Sequence, residues 1–219
     1  MRLSKKPLLF FAVLGAALLA SGSARVHPHV FAEAKMVLTV LPNGTVDKLS
    51  HVWGFDDLFS STVLVEFDKN KDLALDAGEL KDVENTIVDS IGDYNYFQTV
   101  MNNGAEVKMK RPPNLTAKMD GQVLIITFDS SPDKIIPLRG NVSFGIFDPT
   151  FYTAIDFTED ADMQAPNLPA GCTSKVVRPD PEEAMAQNQK NLTDAFFATT
   201  DPANMSQLVA TRLEVTCPE

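Results

Sequence analysis

The stretch VFAEAKMVLTVLPNGTVDKLSHVWGF, residues 30–55, constrains this fold more than any other part of the chain. Polar and apolar residues alternate through Lys35-Met36-Val37-Leu38-Thr39-Val40, the period of a half-buried strand. Asn43-Gly44 then supplies residues that tolerate the positive φ of a tight turn, so two antiparallel strands are expected on either side of it. A hairpin closing there fixes the register and sets His51 opposite Met36. It also leaves His51 about seven residues from His29, roughly 23 Å along a strand.

Helical spacing follows. DDLFSSTVLVEF carries Leu58, Phe59, Val63 and Phe67, and AGELKDVENTIVDSI carries Leu80, Val83, Ile87 and Ile91. From Phe97 onward the signals are short strands between turns: QTVMNNGAEVKM, NLTAKMDGQVLIITF and NVSFGIFDPTFYTAIDF, the last broken at Asp148-Pro149. SKVVRP reads as a further strand and LVATRLEVTC as a closing one. Between them DPEEAMAQNQKNLTDAFFATT reads as a helix, opened by Pro181 with Glu182 and Glu183 in its first turn. The expected fold class is α+β: a mostly antiparallel sheet, an EF-hand-like helix–loop–helix inserted at about 56–91, and a C-terminal helix.

The first 24 residues have a different character. MRLSKK is basic, PLLFFAVLGAALLA is an apolar run, and SGSA offers small residues to a peptidase. That layout predicts a signal peptide over 1–24, cleaved near Ala24, and one exported domain over 25–219. No later segment supplies the roughly 20 apolar residues of a membrane span, so direct insertion is not expected. The chain carries a net charge of −10 and no basic run. Such acidity disfavours nucleic acid and suits cations, or simply keeps an exported protein in solution. In an oxidising compartment the two cysteines, Cys172 and Cys217, read as one disulfide.

The strongest local motif is DKNKDLALDAGE, residues 68–79. Oxygen donors fall at Asp68, Asn70, Asp72, the Ala74 carbonyl, Asp76 and Glu79, the alternation by which one short loop surrounds calcium. Leu73 stands where such loops place glycine, and a β-carbon there costs on the order of 1–2 kcal/mol. The competing reading is a solvated acidic turn, with Asp76 capping the following helix and Glu79 completing a capping box.

All three histidines lie near the expected cleavage point. His27 and His29 flank Pro28, which keeps the segment extended, and residues two apart in an extended chain project to one side. Imidazole is a common ligand of zinc, copper and nickel. The candidate transition-metal set is therefore His27 and His29, with His51 and Asp148 as further donors and Asp56 and Asp57 behind them. A terminus beginning Arg25-Val26-His27 offers a second geometry, an amine, two amides and one imidazole in a square plane around copper or nickel. The bland reading is a loose leader and a half-buried strand histidine beside Trp53.

HPHVF, HVWGFDDLFS, FDKNKDLALDAGEL, DYNYF, FDPTFY and the AGC ending in Cys172 occur in that order. Together, over roughly residues 27–178, they resemble an exported bacterial family of unknown function described as the periplasmic component of uncharacterised ABC-type transport systems. The resemblance implies a periplasmic location and an association with nickel, cobalt or zinc transport, with His27, His29, Asp68, Asp72 and Glu79 on its motif positions. This chain departs from the pattern at Arg25-Val26, ahead of the HPH, and at Leu73. No Gly-x-Ser-x-Gly, HExxH or phosphate-cradling loop occurs, so no enzyme is expected. The expectation is a periplasmic metal-binding accessory component that exchanges its ion with an inner-membrane metal transporter. The alternative is a calcium-stabilised interaction domain without a transported ligand.

Overall fold

The computed structural model describes residues 28–180 and 209–218. The hairpin comes first, as β1 (Val30–Val40) and β2 (Val46–Phe55), followed by α1 (Asp57–Phe67) and α2 (Ala77–Ser90). A 3-10 turn at Gly92–Phe97 leads into β3 (Gln98–Asn102) and β4 (Ala105–Glu106), then β5 (Thr116–Asp120) and β6 (Val123–Ser130). The remaining strands are β7 (Gly140–Ile146), β8 (Thr153–Asp156), β9 (Met163–Gln164), β10 (Thr173–Val177) and β11 (Arg212–Cys217).

Two sheets result. The first runs β5-β6-β2-β1-β8, with β9 also on β1, and the second runs β10-β11-β7-β3-β4. Strands β8 and β9 pair with β1 in parallel, and the other ladders are antiparallel. In the first hairpin Met36 pairs with His51. Its turn is closed by Gly44, at φ 79°, and by Asn43, whose Oδ1 accepts from the Thr45 N–H and hydroxyl.

Alternation decides what is buried. Val30, Ala32, Ala34, Met36, Leu38 and Val40 of β1 all point inward, facing Leu49, His51, Trp53 and Phe55 of β2. On the second sheet Val142, Phe144 and Ile146 share a face with Val100, Leu213 and Val215. Both inner faces join one apolar cluster. Burying each large side chain there contributes about 1.5–3 kcal/mol. The helices cover part of the first sheet. Ser60 Oγ of α1 accepts from the Leu124 N–H of β6, and Glu84 of α2 accepts from the Ala117 N–H of edge strand β5.

These observations correct the expected fold class. The chain is β-rich with two sheets, not α+β on one mostly antiparallel sheet. Single-strand patterns could not reveal this, because inward alternation looks the same whichever sheet a strand joins. The expected EF-hand-like insertion is corrected too. Helices α1 and α2 lie against the first sheet, and the carboxylates between them turn onto the loop's own backbone, so no clear EF-hand helix–loop–helix is present. The described C-terminal part is strand β11, and the helix expected after Pro181 lies outside the described residues, as does the leader over 1–24. No helix among the described residues is long and apolar enough to cross a membrane. Cys172 and Cys217 are joined as a disulfide, which ties the end of β11 to the loop before β10.

Candidate functional site

The strand register separates the histidines. His51 is fully buried on the inner face of β2, stacked on Phe128 at 4.5 Å, with Nε2 3.0 Å from Ser130 Oγ. Burial pushes its pKa down to about 3, against a weaker opposing pull from Asp129 and Gln98. Its Nδ1 has no partner, and neither does Trp53 Nε1 two residues on. His29 is the opposite case: exposed just ahead of β1, its N–H donating to the Tyr152 carbonyl at 2.8 Å and its ring 5.2 Å from the Tyr152 ring. His27 lies outside the described residues.

Asp148 is buried but serves its own loop. Its carboxylate accepts from the N–H and hydroxyl of Thr150 at 2.8 and 2.7 Å and from the Thr153 N–H at 2.8 Å. Asp56 caps α1, accepting from Phe59 N–H at 2.9 Å and from Phe31 N–H at 2.7 Å. Burial alone would raise that carboxyl, and the backbone N–H groups of Phe59, Phe31 and Leu58 outweigh it and hold it below its ordinary value. Asp57 is exposed in the first turn of α1. Among the described residues no group of three or more His, Cys, Asp or Glu side chains is arranged to hold a metal ion, so His51 and Asp148 do not assemble with His29.

The acidic loop is built from its own backbone. Asp68 accepts from the N–H groups of Lys71, Asp72 and Leu73. Asn70 accepts from Asp72, and Asp72 accepts from Ala74. Asp76 caps α2 through Gly78 and Glu79, and Glu79 reaches back to Asp76, which is the capping box read from the sequence. Glu79 Oε1 also accepts from Lys69 at 2.8 Å. Lys71 and Leu73 adopt positive φ, 62° and 66°, and the Leu73 side chain points into solvent. The acidic side chains thus have assigned local roles, and the carboxylates outside the capping box remain open to water.

A different feature gathers the sequence motifs. A cavity of about 320 Å³ opens between the end of β2, helices α1 and α2, the 3-10 turn and the loop 148–153. Its walls include Trp53 and Phe55 of HVWGF, Tyr94 and Phe97 of DYNYF, and Asp148 and Tyr152 of FDPTFY. Three consecutive residues, Asn95, Tyr96 and Phe97, hold positive φ in the turn that brings Tyr94 and Phe97 to this wall. Asn95 maintains the turn by donating to the carbonyls of Gln98 and Val107 and accepting from the Met109 N–H. The sequence marked these strings as strand, as the home of the candidate donor Asp148 and as carriers of a resemblance, and not as parts of one cavity. The excess of aromatic residues within them was the available signal, but their convergence comes from long-range packing.

A family model described as protein of unknown function (DUF1007) matches residues 12–217. An uncharacterised protein of Haemophilus influenzae is 25% identical over 180 residues, which cover 78% of this chain and 85% of that protein.

Proposed function

This chain belongs to the DUF1007 family, and from that premise we propose that it is an exported, non-enzymatic accessory protein that carries a transition-metal ion. The cargo is zinc, nickel or copper, held by His27 and His29, and the receiving or donating partner is an inner-membrane metal transporter. The observation that carries this reading is the exposed ring of His29 at the start of the first strand, with a second imidazole two residues before it. His51, withdrawn into the core and held neutral, takes no part, and Asp148 is not gathered with His29 into a metal-holding group among the described residues.

A pair of imidazoles fills two coordination positions and leaves the others to water or to a partner's donors. That incompleteness suits transfer: the ion can be gripped from its open side before it is released. The leader pattern MRLSKK-PLLFFAVLGAALLA-SGSA supports export to the periplasm, and the Cys172–Cys217 disulfide accords with an oxidising compartment. The test is metal titration of tag-free protein beside a His27→Ala/His29→Ala double variant. The double variant is expected to lose binding of zinc, nickel and copper while His51→Gln keeps it. Equal affinity in the double variant and the parent overturns the proposal.

The acidic loop favours a second reading, a calcium-stabilised interaction domain. Asp68, Asn70 and Asp72 supply side-chain oxygens at alternate positions of one short loop and are held there by backbone N–H groups. The Ala74 carbonyl, Asp76 and Glu79 would have to close around the ion together with them, since the described carboxylates of the loop are not gathered for a metal. Here calcium should raise the melting temperature, Asp68→Ala should cancel the rise, and zinc should have no specific effect.

A further inference from the structure

We infer that the aromatic cavity beside α2 binds a small organic cation with an apolar body. This goes beyond the metal-carrying proposal and uses none of its ligands.

Three features give the cavity a negative character. The first is Asp148, 2% exposed and part of the cavity wall. Its three hydrogen bonds come from uncharged donors of its own loop, and it forms no ion pair with a Lys or Arg among the described residues. A buried carboxylate ordinarily has a cationic counterpart. The second is the C-terminal end of the 14-residue helix α2, where Ser90 and Ile91 line the cavity. A helix C-terminus carries partial negative charge that favours a cation, and α2 has no basic residue of its own in its last turn, where Arg111 pairs with Asp89 on the exposed side. The third is the aromatic lining, with Trp53, Tyr94, Phe97 and Tyr152 among it, a composition that favours a cation wherever a ring presents its face.

Size and surroundings narrow the class. At about 320 Å³ the cavity lies at the small end of ligand pockets, enough for a compact amine and not for a polymer segment. A bare metal ion is a poor match, because the wall is mostly apolar and offers few ligating atoms. An ammonium or quaternary ammonium group attached to a ring or short alkyl body fits both the charge and the apolar lining. Phe97, in the wall, and its neighbour Tyr96 hold left-handed φ at a cost on the order of 1–2 kcal/mol per residue, and strain of this kind clusters at ligand-binding sites.

The chain contains one tryptophan, and it lines this cavity, so its emission reports occupancy directly. Full-length protein is titrated with benzyltrimethylammonium and, separately, with neutral benzyl alcohol. The cation is expected to bind saturably, to shift Trp53 emission, and to bind roughly tenfold tighter than the alcohol. Ser90→Arg, at an exposed position on the rim, places a guanidinium at the mouth and should abolish cation binding while melting stays at the parent value. Asp148→Asn should remove the preference for the cation over the alcohol. The His27→Ala variant, which leaves the His29–Tyr152 ring contact in place, should bind the cation as the parent does while losing metal affinity, which separates this inference from the metal proposal. Equal affinity for cation and alcohol overturns it, as does unchanged cation binding in Ser90→Arg, or an absence of saturable binding.

Discussion

The interior row around His51 and the acidic loop between α1 and α2 both hold polar atoms in a folded chain, and they do so in opposite ways. In the interior, His51 obtains one partner, Ser130, from a neighbouring strand, and its Nδ1 and the Trp53 Nε1 obtain none. In the loop, Asp68, Asn70, Asp72, Asp76 and Glu79 find backbone N–H partners within a few residues. A strand must accept whatever its register places opposite, whereas a loop can bend to meet its own side chains. An unpaired buried polar atom costs about 1–3 kcal/mol, so the interior polar row is held in place by the apolar packing around it.

The largest test of that contrast removes the packing. Trp53 is 2% exposed between Phe97 and Phe128, while Leu58 on α1 is 73% exposed. Trp53→Ala should destabilise by about 3–5 kcal/mol through the cavity it leaves. Leu58→Ala should stay within about 0.5 kcal/mol. Chemical denaturation of both variants measures the difference, and similar losses would mean that the sheet interior is not where stability is concentrated.

The next effect is the pH dependence written into His51. Its folded pKa of about 3 lies below the ordinary histidine value of 6.5, so between them the unfolded chain binds a proton that the folded chain refuses. Stability from this source is complete above about pH 6.5 and is lost as pH falls toward 3, at up to about 1.4 kcal/mol per pH unit. Denaturation midpoints between pH 7 and pH 4 should decline in the parent and in His29→Gln. In His51→Gln the decline over that window should flatten. A parent midpoint independent of pH would show that the buried ring is not held neutral.

On the loop side, Asp76→Ala removes the N-cap of α2 and half of its capping box. The expected loss is about 1 kcal/mol, read from the thermal midpoint. Asp76→Asn should recover most of it, because the amide oxygen can accept the same bonds.

These differences also explain what the sequence could tell. The hairpin register, Met36 against His51, and the capping box at Asp76 and Glu79 depend on neighbours along the chain, and both were legible. The existence of two sheets was not. It depends on β8 lying parallel to β1 across more than a hundred residues and on β11 entering between β10 and β7. Asp148 was read as a further metal donor to complete a histidine site, and only the folded loop reveals Thr150 and Thr153 as its partners. The cavity joins HVWGF, DYNYF and FDPTFY in space, and nothing in their spacing along the chain announces it. The hairpin register, the capping box and the Cys172–Cys217 bridge were visible in the letters, while the Asp148 turn and the assembly of strands into two sheets were not.

The smallest expected effect bears most closely on the loop's purpose. Leu73 holds φ at 66° with its side chain 80% exposed, so it endures the left-handed conformation without a packing reward. Glycine removes a strain of roughly 1–2 kcal/mol but gives back part of it through the greater freedom of the unfolded chain. Leu73→Gly should therefore stabilise the metal-free protein by somewhat under about 1 kcal/mol. If the loop is only a capped turn, calcium should leave the melting temperature of both parent and variant unchanged. If its oxygens take calcium, the variant should bind more tightly, because Lys71, Asp72 and Leu73 already donate to Asp68 in the geometry that glycine adopts without strain. Weaker calcium binding in Leu73→Gly than in the parent would exclude left-handed strain as the brake on this loop.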